Sequence, residues 1–201
     1  MCIETLYLIR HGHINTGSEK RYIGSTNLPL DELGKEQVKA LSRFLLAEHL
    51  DAIYSSPLVR CIQTTDAICR YHGLSYTLLD DLREIHMGDW ENKTIASIKE
   101  TYPKAYEERG INIEYFTPPH GENFAMLSKR VIKAFNHIEQ TNAKHIAIVA
   151  HAGVNRVLLS HLLGRRLNDL FSIEQPYGSI TPLHYDSDTK LWNKGKVFTL
   201  K

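Results

Sequence analysis

Thr5-Leu6-Tyr7-Leu8-Ile9-Arg10-His11-Gly12-His13 is the stretch on which the fold turns. Residues 5–9 form a short, apolar, β-rich run, which predicts a buried strand. The run stops at Arg10-His11-Gly12-His13, where four residues of different chemistry follow without a break.

Outward from that strand, helical and extended patterns alternate. Residues 15–30 are polar and contain glycine, which reads as loop. Asp31 can cap a helix whose apolar positions Val38, Leu41, Phe44 and Leu45 share one face. Residues 50–55 predict a second strand. Ser56-Pro57 then supply an N-cap and a first-turn proline for a helix to about Tyr71, closed by Gly73. Residues 75–79 predict a third strand, and residues 80–91 a loop with a short extended part. Residues 94–109 read as helix interrupted at Pro103, and residues 111–122, with Pro118-Pro119 and Gly121, as loop. A long helix follows over residues 123–141, then a strongly apolar strand at 145–150 and a helix at 152–163 ended by Gly164. Residues 179–200 read as two or three extended segments with a turn at 193–195. There is no repeat, low-complexity tract or linker, so residues 1–201 read as one domain. The expected fold class is α/β, a three-layer α/β/α sandwich with a mostly parallel central sheet.

Composition narrows the function. The 201 residues suit one domain, and are short for a closed eight-stranded α/β barrel, which typically needs about 250. Lys and Arg total 24 against 23 Asp and Glu, a net charge of +1 that leaves no footprint for nucleic acid or a membrane surface. No apolar run approaches the roughly 20 residues that span a bilayer, and no basic region precedes an apolar core as in a signal peptide. Cys2, Cys61 and Cys69 follow no ligand spacing and read as reduced thiols of a cytoplasmic protein. The number out of line is 11 histidines.

Position sorts them. In parallel sheets ligands bind beyond the carboxyl ends of the strands. Those ends carry Arg10 and His11, then Ser55-Ser56-Pro57 with Arg60 a turn later, then Glu84, and finally His151-Ala152-Gly153. Taken singly, each has an ordinary explanation as a solvated charge or a bonded core histidine. Together, two arginines, two histidines and a carboxylate on one edge, beside helix N-termini, are what a phosphate group requires.

The ordered set Leu8-Ile9-Arg10-His11-Gly12, Ser55-Ser56-Pro57 with Arg60 and Thr64, Leu82-Arg83-Glu84 with Gly88-Asp89-Trp90-Glu91, Gly121-Glu122 and His151-Ala152-Gly153 resembles the histidine phosphatase (phosphoglycerate mutase-like) superfamily over nearly the whole chain. Ala152, where the phytase-like branch has Asp, points to the mutase-like branch. The resemblance implies a phosphoglycerate mutase-like sandwich and a phosphoric monoester hydrolase with no metal or other cofactor. His11 would be the nucleophile and Glu84 the proton donor, with Arg10, Arg60 and His151 holding phosphate. Asn15, Arg21, Gly24 and Ala152 would stand on the substrate side. Residues 92–124 would form a lid, with Tyr102, Tyr106, Tyr115 and Phe116 either stacking on an aromatic base or packing the lid itself. The partner expected is a small-molecule phosphate ester. The phosphatases of cobalamin nucleotide-loop assembly are the nearest resemblance, with a phosphoglycerate mutase or a broad-specificity sugar or nucleotide phosphatase as alternatives.

Two positions depart from the family pattern: His13 stands where Glu is common, and Gly17 where Asn is common. His13 also raises a rival, since His11-x-His13 resembles the metal pair of barrel-type hydrolases. That reading needs a barrel and further ligands. Of the remaining histidines, His86 and His120 flank segments expected to line the site mouth.

Overall fold

The structure, a computed structural model, describes residues 3–200. Six strands form one sheet: β1 (Thr5–Arg10), β2 (Ala52–Ser55), β3 (Tyr76–Leu78), β4 (His145–Ala150), β5 (Ile180–Asp186) and β6 (Leu191–Lys194), in the spatial order β3-β2-β4-β1-β5-β6. The first four run parallel, and β5 and β6 complete the β1 edge antiparallel. The sheet is open. It therefore lacks the barrel on which the two-histidine metal reading depends.

Alternate side chains of each strand enter different layers, as the pleat requires. Tyr7 and Ile9 of β1, Ile53 of β2 and Val149 of β4 pack with Leu41 and Leu45 of α1 (Glu32–Leu45) and Cys61 and Ile68 of α2 (Val59–His72). Leu6, Leu8, Ile146 and Ile148 face the other way, onto Leu127, Val131 and Phe135 of α5 (Phe124–Glu139) and Val154 and Leu158 of α6 (Ala152–Leu162). Both faces of β1 are thus covered, which is why residues 6–9 are apolar without alternation. Between the third strand and α5 lie the two short helices α3 (Ile95–Thr101) and α4 (Pro103–Ile111), split at Pro103 as the sequence predicts. Asp31 caps α1 through a bond from the Gly34 N–H, and Gly73 closes α2 in the left-handed conformation at φ 64°.

Three local expectations are corrected. The helix after β2 begins at Val59 with Leu58 as its cap residue, not at Ser56-Pro57, and Ser56 Oγ is drawn instead to His151 Nε2 at 2.8 Å. Residues 80–91 contain 3₁₀ turns at Asp80–Leu82 and Gly88–Trp90 where a short extended part was expected. The C-terminal hairpin turns between Asp186 and Leu191, not at 193–195: Asp186 Oδ1 accepts from the N–H groups of Asp188 and Thr189 and closes an Asx turn. Cys61 and Cys69 are free thiols, and Cys2 lies outside the described residues. Among the described residues no helix is long and apolar enough to cross a membrane.

Candidate active site

Register brings the two histidines together. Arg10 of β1 pairs with Ala150 of β4, so His11 and His151, one residue beyond each, leave the sheet side by side. The His11 N–H donates to Ala150 O at 3.1 Å and the ring centroids lie 5.1 Å apart. Arg60, the second residue of α2, reaches between them. Its Nε–H is shared by His11 Nε2 and His151 Nδ1, each at 3.2 Å. A guanidinium has no acceptor, so both of those nitrogens carry lone pairs. The protons then sit on the opposite nitrogens: His11 Nδ1–H donates to Gly12 O at 2.7 Å, and His151 Nε2–H to Ser56 Oγ at 2.8 Å.

Charge state follows from the same contacts. Burial, then the Arg10 and Arg60 guanidiniums, hold the His11 imidazole well below the usual histidine range. Burial, then Arg60 and His11, do the same for His151. Both rings are neutral, buried and fixed in tautomer. The Nε2 lone pair of His11 and the Nδ1 lone pair of His151 both face the Arg60 guanidinium, and both rings are nucleophiles kept unprotonated at those atoms.

Arg60 is held in turn. Its terminal nitrogens donate to Thr26 O at 2.7 Å and Gly24 O at 2.8 Å. That loop is gathered by Glu91, whose carboxylate accepts from Gly24, Ser25, Thr26 and Met87. Burial alone would raise the Glu91 carboxyl, yet the bonds from Thr26, Met87, Ser25 and Gly24 bring it below the usual range. Gly24 is required here, since a Cβ would lie 2.0 Å from Ile85 O and 2.5 Å from Glu91 Oε1.

Glu84 is buried at the same edge. Its Oε2 accepts from the Gly153 N–H at the start of α6 at 3.1 Å, and its Oε1 from the Ile85 N–H at 3.1 Å. Arg130 of α5 fixes the backbone that carries it, donating to the carbonyls of Asp81, Arg83 and Glu84 and to the Glu122 carboxylate. Arg10 donates one terminal nitrogen to Gln175 O, while its buried Nε has no partner among the described residues. Such a donor is costly unless something completes it.

Of the residues expected at the site, Arg10, His11, Arg60, Glu84 and His151 are brought together, with Gly24 beneath Arg60 and Ala152 next to His151 at the head of α6. Asn15 is exposed, and its Oδ1 accepts from the Gly17 N–H at 2.9 Å. Arg21 ties the loop down by donating to Thr16 O and Asn92 O. His86 and His120 are exposed, at Gly88 and Asp89 respectively. His13 Nδ1 contacts Asp31 Oδ2 at 2.6 Å, and among the described residues no three His, Cys, Asp or Glu side chains are grouped to hold a metal ion. Sequence reasoning missed Ser56 as the partner of His151, Arg130 as the holder of the Glu84 segment, and Tyr177, whose ring centroid lies 3.6 Å from Arg10 Cζ. Only Ser56 carries a signal in the sequence, and it is that of a helix cap.

The chain belongs to the histidine phosphatase superfamily (branch 1), whose family model matches residues 6–195. It is a phosphatase of that superfamily, and so a hydrolase. It is 30% identical to phosphoserine phosphatase 1 of Hydrogenobacter thermophilus over 90% of this chain and 86% of that protein. Among solved structures it is similar to the alpha-ribazole phosphatase from Shigella flexneri, at 25% identity and a TM-score of 0.85, covering 98% of this chain and 94% of the other. It also matches YhfR of Bacillus stearothermophilus, at 30% identity and a TM-score of 0.84 with 94% of each chain covered. It spans 47% of the length of a bifunctional protein of Mycobacterium tuberculosis that it also resembles.

Proposed function

We propose that the chain hydrolyses the phosphomonoester of a small molecule through a phosphohistidine at His11 Nε2. The observation that carries this reading is the Nε2 lone pair of a buried, neutral His11 facing the guanidinium of Arg60. Phosphate monoesters are among the slowest substrates to hydrolyse unaided, so the barrier reduction must be large. In the first step His11 Nε2 bonds to phosphorus, the P–O bond to the alcohol breaks, and Glu84 gives its proton to the departing oxygen. Nδ1–H stays on Gly12 O, which supports the positive charge that spreads over the ring. In the second step Glu84 takes a proton from water as its oxygen bonds to phosphorus. The P–N bond breaks, and neutral His11 and inorganic phosphate result. Arg10, with its unpartnered Nε, and Arg60 carry the charge of the transferring oxygens, so the chemistry needs no metal. The partner is a small phosphate ester.

Residues 92–124 act in this reading as the lid over the leaving group. Phe116 and Tyr106 pack inward, Phe116 on Trp90 at 5.3 Å between ring centroids, which leaves the exposed Tyr102 and Tyr115 as stacking surfaces. Together with the likeness to alpha-ribazole phosphatase, they put α-ribazole 5′-phosphate first among candidate substrates. The 30% identity to phosphoserine phosphatase 1 favours phosphoserine as the second.

A panel of α-ribazole 5′-phosphate, phosphoserine, 3-phosphoglycerate, sugar phosphates and nucleotides tests the reading. Hydrolysis with highest kcat/KM on the first, unaffected by EDTA, is expected. Glu84→Gln slows esters with poor leaving groups far more than p-nitrophenyl phosphate, whose leaving group needs no proton. Strong mutase activity with a bisphosphoglycerate primer would overturn the phosphatase reading.

A further inference from the structure

His13 and Tyr177 have no part in the reaction above, yet they stand against it. Tyr177 lies in the loop that leads into β5, and that loop is stitched to the two residues closing β1. Gly178, at φ +61°, donates its N–H to His11 O at 3.0 Å, and Arg10 donates its own N–H to Ser179 O at 2.9 Å. The conformation is one that glycine adopts without strain. It aims the preceding side chain back over the carboxyl end of β1.

The tyrosine ring is held on several sides. Arg10 Cζ lies 3.6 Å from its centroid, a stacked cation–π contact. His11 and His13 pack against it at 5.5 Å and 5.0 Å between centroids. His13 is itself anchored, Nδ1 on Asp31 Oδ2 and backbone N–H on Gln37 Oε1 at 2.8 Å. Ile14, Leu30 and Val38 support the ring from the α1 side. The hydroxyl, by contrast, makes no hydrogen bond among the described residues. The ring that carries it lies on Arg10 and within electrostatic reach of Arg60. A side chain this constrained at its ring and unpartnered at its tip, beside an arginine whose Nε is also unpartnered, adds one more donor to a place where donors already converge.

We propose that Tyr177 is a substrate-binding residue of this site, its ring setting the Arg10 guanidinium and its hydroxyl donating a hydrogen bond to the phosphate group that Arg10 and Arg60 attract. His13 then has a role as the buttress that keeps the ring on Arg10. The inference rests on the reading of this cluster as a phosphate site.

Tyr177→Phe separates the hydroxyl from the ring, and Tyr177→Ala removes both. Binding of inorganic phosphate is measured by titration calorimetry, and turnover of p-nitrophenyl phosphate supplies KM and kcat. Tyr177→Phe should keep the wild-type melting temperature and kcat within about twofold while weakening phosphate binding and raising KM about 10-fold, the worth of one bond to a charged group. Tyr177→Ala should lower kcat as well, because Arg10 loses its stacking surface. Unchanged phosphate affinity and KM in the Phe variant would overturn the proposal and leave the ring a packing role, with the phosphatase reading intact. Phosphate binding that depends on the hydroxyl in a protein hydrolysing no ester would uphold Tyr177 and overturn the proposed reaction. A wild-type protein that binds no phosphate would overturn both.

Discussion

At the carboxyl ends of β1 and β4 the chain buries His11, Arg60 and His151 to 3% exposure or less, each with its hydrogen-bond partners fixed. A short distance along the chain, α4 buries none of its residues and leaves Ile111 85% exposed, while α3 is pinned through a fully buried Ile98. One region is ordered by interlocking polar bonds, the other by a few apolar pegs: Ile98, Ile113 and Phe116 set against Trp90 and the core. The difference teaches where each task can live. Phosphoryl transfer needs donors already aimed before substrate arrives, whereas a cover over a leaving group needs low local stability so that it can open.

That contrast can be broken or sharpened by substitution. His11→Ala should abolish turnover and trapped phosphoenzyme, a loss of at least about 10⁴-fold, with the fold retained. Activity within tenfold of wild type would remove the buried cluster from the chemistry altogether. Arg60→Met should lower kcat/KM about 10³-fold. It should also cost about 3 kcal/mol of stability, because the carbonyls of Gly24 and Thr26 lose their donors. Ester hydrolysis and urea unfolding read the two effects separately. In the proposed lid, Ile98→Ala should cost about 2–4 kcal/mol by leaving a cavity. Ile111→Ala should stay within about 0.5 kcal/mol. Equal effects at the two isoleucines would erase the difference between peg and surface.

Acid offers a finer test. His11 and His151 are neutral when folded because burial and neighbouring guanidiniums hold them well below 6.5. Once unfolded, both take up a proton below about pH 6.5, so the unfolded chain binds more protons there. Stability is therefore full above that pH and falls on acidification, by up to about 1.4 kcal/mol per pH unit for each histidine. Urea unfolding between about pH 7.5 and about pH 5.5 measures the slope, and His151→Gln should reduce it by up to about 1.4 kcal/mol per pH unit, with His11 and the partly buried His72 supplying the rest. A slope unchanged in that variant would mean that His151 is not held neutral.

Much of this was legible in one dimension because it rests on local pattern. The apolar run through Ile9 and the one through Val149 predicted buried strands, and a residue that follows a buried strand in a parallel sheet must emerge at its carboxyl edge. Asp31, Gly73 and Pro103 acted where their backbone chemistry said they would. Misreadings arose where a local signal met a stronger distant claim. Ser56 has the pattern of a helix cap, but its hydroxyl is taken by His151, 95 residues away. At the C-terminal hairpin, Asp186 makes the turn while Gly195 donates to Pro182 O within the paired region.

By itself, then, the sequence determined the layered fold, the edge on which the charges gather, and the residues Arg10, His11, Arg60, Glu84 and His151 as its members, since periodicity and strand ends are properties of neighbours. Only the tertiary structure decided which nitrogen of each histidine faces Arg60, that Arg130 and Gly153 hold Glu84, and that Tyr177 lies on Arg10. Those contacts join residues 46 to 167 positions apart. They follow from the register of β1 against β4 and the paths of its loops, and no local pattern encodes them.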